Sequence, residues 1–326
     1  MNKFKYYFIL LITTVTLFSC SKDDPAAPIT PPREYAVQYA TDLNDIEEYL
    51  KTYYIEDLSA DVDTKILKIP AGGSQTPIYS YLNSTAFPKL LSKEAVYNSV
   101  TYKVYYLILR EGVGMSPSNT DGIFTAYKGE YLARKKVAEV ETLTATFFEE
   151  SKTPQNFFYL YNPTAPLITG WAELFPEFKS GDFTSNPDGT VSYTDFGAGV
   201  FFIPSGLGYY NSGSATIPAY APLVFSIKLY AINRVDSDGD GILNYLEDLN
   251  GDGYMRLLPT GTLNPDDTDG DGIPNFLDSD DDGDGVSTRK EITAANGTII
   301  PFADIPACDG NTTNPERVKR HLVKCN

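Results

Sequence analysis

Histidine is almost missing from these 326 residues: the single one, His321, stands near the C-terminus. Ser-His-Asp triads and histidine-rich zinc centres therefore have nothing to be built from, and any catalysis must use other chemistry. Positive charge is scarce too, with 26 basic residues against 43 acidic ones and a formal net charge of -17. That balance argues against nucleic acid as a partner. Beyond the first twenty residues no run is long and apolar enough to span a bilayer. Tryptophan occurs once, as Trp171, and cysteine three times. What the chain has in quantity is apolar surface, 42% of residues with 24 Tyr and 18 Phe, enough to bury a full core in more than one module.

The first nineteen residues read as an export signal: Lys3 and Lys5 precede an apolar run from Tyr6 to Phe18 that is too short to cross a membrane comfortably. The run ends in Leu17-Phe18-Ser19-Cys20, which resembles the lipobox of bacterial lipoproteins and implies that Cys20 becomes the lipidated N-terminus and ties the chain to a membrane. Lys22-Asp23-Asp24 and a Pro-rich stretch to Pro32 follow, a spacer over residues 20–33. An acidic motif just after the lipidated Cys resembles the surface-export signal of Bacteroidetes lipoproteins. The implied place is the outer membrane, on the cell surface or facing the periplasm.

From Glu34 to about Asp57, Ala36, Ala40, Leu43, Ile46, Leu50 and Tyr54 recur at spacings of three and four, the signature of an amphipathic helix. Its stripe is expected either to pack on the neighbouring domain or to serve dimerisation or client gripping. The connecting region runs to residue 99. Val100 to Leu109 then alternates as a Tyr- and Val-rich strand ended by Gly112 and Gly114. Further strand-like runs are Gly122 to Leu132, Asn156 to Tyr161, Val200 to Ile203 and Leu223 to Ile232, with a short helix at Glu173 to Lys179. The expected fold is α+β, an antiparallel sheet against a short helix.

Within residues 100–234, Tyr127-Lys128-Gly129, Phe148-Glu149-Glu150-Ser151, Leu167-Ile168-Thr169-Gly170-Trp171 and Ile203-Pro204-Ser205-Gly206-Leu207-Gly208-Tyr209 follow one another in an order that resembles an FKBP-type peptidyl-prolyl isomerase domain. Leu167-Ile168-Thr169-Gly170-Trp171 is similar to the family's Val-Ile-x-Gly-Trp, and Lys179-Ser180-Gly181 follows at the matching distance. Ile203-Pro204-Ser205-Gly206-Leu207-Gly208-Tyr209 resembles Ile-Pro-Pro-x-Leu-Ala-Tyr, and Ile217-Pro218 with Leu223-Val224-Phe225 closes the series. Upstream, Tyr127-Lys128-Gly129 and Phe148-Glu149-Glu150-Ser151 match Tyr-Thr-Gly and Phe-Asp-Ser-Ser. The resemblance implies an apolar bowl lined by Tyr127, Phe148, Leu167, Ile168, Trp171, Tyr209, Ile217 and Phe225, with Trp171 as its floor. Two departures stand out: Glu149 replaces the usual Asp beside Tyr127, and Asn156 falls where an aromatic is expected, with Phe157 and Phe158 next to it. An insertion from Asp182 to Phe196 carries Asn186-Pro187-Asp188-Gly189, which reads as a hairpin turn.

Rotation about an X-Pro bond crosses a barrier of about 18 to 20 kcal/mol and takes on the order of tens to hundreds of seconds unaided. It needs no nucleophile, metal or proton donor, so an apolar bowl that favours the twisted amide suffices, with no cofactor for catalysis. Polypeptides containing Pro, exported or at the surface, are the implied clients. Two other readings remain open: a non-catalytic binding module or chaperone using the same pocket, and an adhesive or spacer role in which the C-terminal region is the functional part.

That region holds sixteen acidic and three basic residues between Asp236 and Glu291. Asp236-x-Asp238-x-Asp240-Gly241-x5-Glu247 and Asp280-x-Asp282-x-Asp284-Gly285-x5-Glu291 both match the EF-hand loop. Alternate carboxylates converge on one hard cation, Gly permits the turn, and the acid at position twelve binds bidentately. Weaker copies lie between, at Asp248, Asn250 and Asp252, and at Asp267, Asp269 and Asp271 with Asp278 at position twelve. Overlapping copies without long flanking helices resemble thrombospondin type-three repeats, which implies structural calcium over residues 235–291. In the segment 292–326, Cys308 and Cys325 are expected to pair, as suits an exported chain.

Overall fold

The computed structural model of the chain describes residues 31–137, 139–259 and 261–325. The expected signal peptide, Cys20 and most of the Pro-rich spacer lie outside the described residues. Helix α1 (Tyr35–Thr52) forms, yet it stops five residues short of Asp57. The Tyr53-Tyr54-Ile55 stretch becomes instead the start of strand β1 (Tyr53–Leu58), which pairs antiparallel with β2 (Thr64–Lys68). Two adjacent aromatics and a β-branched residue suit a pleated surface better than a helix end. The buried face of α1 also differs from the apolar stripe: Gln38, Asp42, Asp45, Ile46, Tyr49 and Leu50 are buried, while Ala36 and Ala40 are exposed. Polar residues share this face because each finds a partner across it. Arg134 reaches Asp45 at 2.6 Å and Glu48 at 2.7 Å.

The main sheet is built from β3 (Lys89–Tyr97), β4 (Val100–Arg110), β5 (Gly122–Val137), β6 (Val140–Ser151), β7 (Phe158–Tyr159), β10 (Gly197–Ile203) and β11 (Leu223–Asn233). All pairings are antiparallel, in the order β3-β4-β10-β11-β5-β6, with β7 on β5. Strands β3 and β6 carry many Lys, Glu and Thr residues and flank the sheet with largely half-exposed faces, so their alternation is weak in sequence. The Asn156 to Tyr161 run contributes just the two residues of β7.

Because side chains alternate along a strand, the inner strands feed two cores. Tyr105, Leu107, Val200 and Phe202 face Ile46, Tyr49 and Leu50 of α1, whereas Tyr106, Ile108, Phe201, Ile203 and Phe225 pack with Trp171, Leu174 and Phe175. The last group belongs to helix α2 (Thr169–Leu174) and a 3-10 turn at Phe175–Glu177. The sheet is thus covered on both faces, and α1 packs on its own sheet. Helix α2 begins and ends about four residues earlier than expected. Pro176 fits the end, since it lacks the N–H that would extend the helical ladder, and the chain tightens there into the 3-10 turn.

The insertion folds as a small hairpin, β8 (Asp182–Ser185) and β9 (Val191–Thr194), with Asn186 accepting from the Gly189 N–H at 3.0 Å. Residues from 235 onward form turns, 3-10 segments and one four-residue helix, α3 (Thr288–Glu291), around a small core of Ile242, Ile292 and Ile305. Everything from Glu34 onward forms one compact unit. Among the described residues no helix is long and apolar enough to cross a membrane.

Candidate functional site

An apolar cavity of about 140 Å³ opens where β5, β6, β7, β11 and α2 meet, lined by Tyr127, Phe148, Glu149, Phe158, Pro166, Leu167, Ile168, Trp171, Tyr209 and Phe225. The sheet register makes this assembly local: Gly129 of β5 lies opposite both Phe225 of β11 and Glu149 of β6. A side chain at Gly129 would collide with the Phe148 ring, so the glycine lets that ring lie over the strand. Trp171, only 5% exposed, forms the hub. Its ring meets Tyr127 at 5.2 Å, Phe225 at 5.3 Å, Phe175 at 5.3 Å and Phe158 at 5.8 Å, all edge to face. Such contacts fix ring orientation as well as burying area. The Trp171 Nε1–H is buried without a hydrogen-bond partner.

Eight of the nine residues singled out in sequence line the cavity together; Ile217 does not. It is buried in the same core cluster. Two wall residues, Phe158 and Pro166, escaped the sequence reading, and Phe158 supplies the aromatic missing at Asn156. Its signal was the adjacent Phe157-Phe158 pair, but pairing of β7 with β5 decides which ring turns inward. Glu149, despite its extra methylene, accepts a 2.8 Å hydrogen bond from the Tyr127 hydroxyl. Burial, then this carboxylate, raises the Tyr127 pKa. Burial and Glu149 likewise raise that of Tyr209. Both phenols therefore stay protonated and able to donate. A larger cavity of about 430 Å³ beside Tyr127 is walled by Asp63, Lys128, Glu150, Lys152 and Lys228. Those charges are unsuited to a proline ring.

The loop that carries Tyr209 is held from below by α1. Asp42 accepts from the Ser205 backbone N–H at 2.7 Å and its hydroxyl at 2.6 Å, and from Gln38 at 2.6 Å. Burial outweighs these bonds and lifts the Asp42 pKa to about 6.

In the acidic region one loop geometry recurs four times. The first Asp of each loop, Asp236, Asp248, Asp267 and Asp280, accepts from the N–H of the sixth-position glycine, Gly241, Gly253, Gly272 and Gly285. All four glycines have positive φ, between +83° and +107°, which side chains rarely adopt. Three loops close as the pattern expects, grouping Asp236, Asp238 and Asp240, then Asp267, Asp269 and Asp271, then Asp280, Asp282 and Asp284. The second loop is weaker, with Asn250 donating to Asp252 at 3.2 Å. The position-twelve acids behave differently from expectation: Asp278 and Glu291 stand outside their loops' groups, and Glu247 groups with Asp240 and Asp281 rather than with Asp236 and Asp238.

The carboxylate chemistry fits calcium. Buried oxygens of Asp238, Asp240, Glu247, Asp280 and Asp282 have no hydrogen-bond partner, and a set of hard oxygen donors without nitrogen or sulfur is what that ion takes. Burial first and neighbouring carboxylates second raise Asp240 to about 6 and Asp238 to about 7. Cys308 and Cys325 are joined, with Cα atoms 5.3 Å apart.

The acidic region also grips the pocket helix. Directly after the second loop, Tyr254 donates to the Glu173 carbonyl and to Glu177, both at 2.9 Å. Arg256 makes a two-pronged contact with Glu173 at 2.6 and 3.1 Å. Tyr161 and Phe276 add a ring contact at 5.2 Å.

The model of the family described as BamM C-terminal matches residues 237–315. The FKBP-type peptidyl-prolyl cis-trans isomerase FkpA of Aeromonas hydrophila is 30% identical over 152 residues, covering 45% of this chain and 44% of that protein. The chain thus spans less than half the length of this curated relative. Among solved structures, a peptidyl-prolyl cis-trans isomerase of Pseudomonas syringae matches with 20% identity and a TM-score of 0.30, covering 50% of this chain and 100% of its own. FkpA of Escherichia coli matches with 22% identity and a TM-score of 0.29, covering 43% of this chain and 51% of its own. The chain is a distant, partial relative of FKBP-type isomerases.

Proposed function

We propose that this chain is a peptidyl-prolyl cis/trans isomerase acting on X-Pro bonds of exported or surface polypeptides, held to a membrane through lipid on Cys20 and stiffened by calcium in its acidic region. The observation that carries the catalytic part is the assembly of seven family-pattern residues around one largely apolar cavity, with Glu149 hydrogen-bonded to Tyr127. A proline ring on the Trp171 floor leaves water, and a twisted amide, whose carbonyl carries less charge, tolerates that environment better than the planar one. Tyr209, 38% exposed and lining the cavity, would donate to a client carbonyl. Aspartates of the four loops and Glu247 would hold calcium, which supplies the positive charge these carboxylates otherwise lack.

The test is proline isomerisation by the chain from Glu34 onward. It should accelerate cis-to-trans conversion of a short peptide with a bulky apolar residue before Pro. Tyr127→Ala and Phe225→Ala should each slow it while the protein stays folded, and Glu149→Asp should keep or raise the rate. A folded protein that binds Pro-containing peptides yet accelerates none of them would replace the enzyme by a binding module. For the anchor, Cys20→Ala should release the protein from the membrane fraction and leave its leader poorly processed; normal processing and retention would refute it.

A further inference from the structure

Asp281 occupies no ligand position of the repeat, being the second residue of the fourth loop. Its side chain is nevertheless 1% exposed, and apart from the nearby Thr288 hydroxyl its carboxylate oxygens have no hydrogen-bond partner. It faces two acids of the first loop. One oxygen each from Asp240, Glu247 and Asp281 lie within 4.8 Å of one another, and Asp240 and Glu247 are themselves 2% and 3% exposed. Both Glu247 oxygens and Asp240 Oδ2 lack partners as well. A second tie confirms that these loops abut: Arg289 of the fourth loop donates to the Gly239 carbonyl of the first at 2.9 Å.

Three buried carboxylates with unsatisfied oxygens need compensation, because an uncompensated charge of this kind is among the costliest things a fold can hold. The Arg289 guanidinium is the nearby cation, and it is engaged on a carbonyl. A divalent ion fits the dimensions: calcium sits about 2.3–2.6 Å from each oxygen, so ligands on opposite sides lie about 5 Å apart. Magnesium, at about 2.0–2.1 Å and with a preference for retained waters, fits a dry three-carboxylate cage less well.

We propose that one calcium ion is bound jointly by Asp240, Glu247 and Asp281, so that Asp281 is a ligand donated across the repeat and calcium clasps the first loop to the fourth. The proposal rests on the calcium reading of the acidic region. It makes the clasp a property of the tertiary fold, in which two loops far apart in sequence share an ion.

The test uses the full-length chain in detergent, calcium chloride as the probe, and two variants, Asp281→Asn and, in the third loop, Asp271→Asn. Calorimetric titration should show Asp281→Asn losing one ion or binding it at least tenfold more weakly. Thermal unfolding should shift in opposite directions: Asp281→Asn below wild type in calcium, because a ligand is gone, and above wild type in chelator, because a buried charge is gone. Wild-type stoichiometry and affinity in Asp281→Asn, or Tm shifts of the same sign in both conditions, would overturn the clasp. If Asp281→Asn fails to fold, Asp281→Glu decides in its place: a folded Asp281→Glu with wild-type calcium stoichiometry and affinity overturns the clasp, and one that binds an ion less or at least tenfold more weakly supports it. Absence of calcium binding by wild type and both variants would instead refute the calcium reading itself, and normal binding by wild type alongside reduced binding by Asp271→Asn alone would refute just the clasp.

Discussion

The aromatic pocket and the acidic region belong to one compact unit and are built on opposite electrostatics. In the pocket the sole carboxylate, Glu149, is exposed and hydrogen-bonded to Tyr127, and rings meeting edge to face do the rest. In the acidic region Asp240, Glu247 and Asp281 are buried with oxygens that no side chain satisfies. One region holds rings around a single exposed acid; the other concentrates buried carboxylates whose oxygens lack partners. The two meet at Glu173, which sits two residues after Trp171 and receives Arg256 from beyond the second loop.

The strongest way to break the contrast is on the pocket side. Trp171→Ala should destabilise the fold by about 3–5 kcal/mol, the usual loss when a large buried ring is deleted, and abolish most isomerase activity. Denaturant unfolding should give the same loss in calcium as in chelator, because the pocket contains no cluster of carboxylates. A calcium-dependent loss would show that the two regions are not separable in this way.

A second test concerns Asp42 under the Tyr209 loop. Its folded pKa of about 6 lies above the ordinary carboxylate value of 3.8, so the folded state takes up a proton that the unfolded chain does not. Its contribution is therefore fully present below pH 3.8 and is lost as pH rises through 6, a change on the order of 3 kcal/mol. In Asp42→Asn this slope in stability between pH 4 and 6 should vanish, as measured by unfolding at a series of pH values.

Smaller effects sharpen the junction. Arg256→Met leaves the buried Glu173 with Lys93 as its remaining cation, 3.8 Å away, and should cost about 2 kcal/mol given that Arg256 is partly solvated. Because Glu173 lies on the helix that carries Trp171, the isomerase rate should fall with it even though the substitution is in the acidic region. Removing the Tyr127 hydroxyl by Tyr127→Phe should change stability by only about 1 kcal/mol. Its effect should fall on the rate, and a rate unchanged in this variant would show that the Tyr127–Glu149 bond does not shape the site.

Much of the pocket was legible in the chain because its residues sit in short motifs whose spacing survives an insertion: Tyr127, Phe148, Glu149, Leu167, Ile168, Trp171, Tyr209 and Phe225 all arrive at one cavity. Ile217 failed because nearness in a motif does not say which side of a turn faces the bowl. The α1 face was misread because apolar periodicity gives no weight to Gln38, Asp42 and Asp45, whose burial depends on Ser205 and Arg134 far along the chain.

The sequence by itself determined local geometry at the inner strands Val100 to Leu109 and Leu223 to Ile232 and at the glycines that turn each acidic loop, since these depend on neighbours a few residues away. Only the tertiary structure decided that Phe158 fills the pocket wall, that Arg256 braces the Trp171 helix, and that Asp281 faces Glu247 rather than its own loop. Those outcomes arise from contacts between residues tens of positions apart, and no period or motif in a linear chain encodes which distant carboxylates a fold will bring within reach of the same ion.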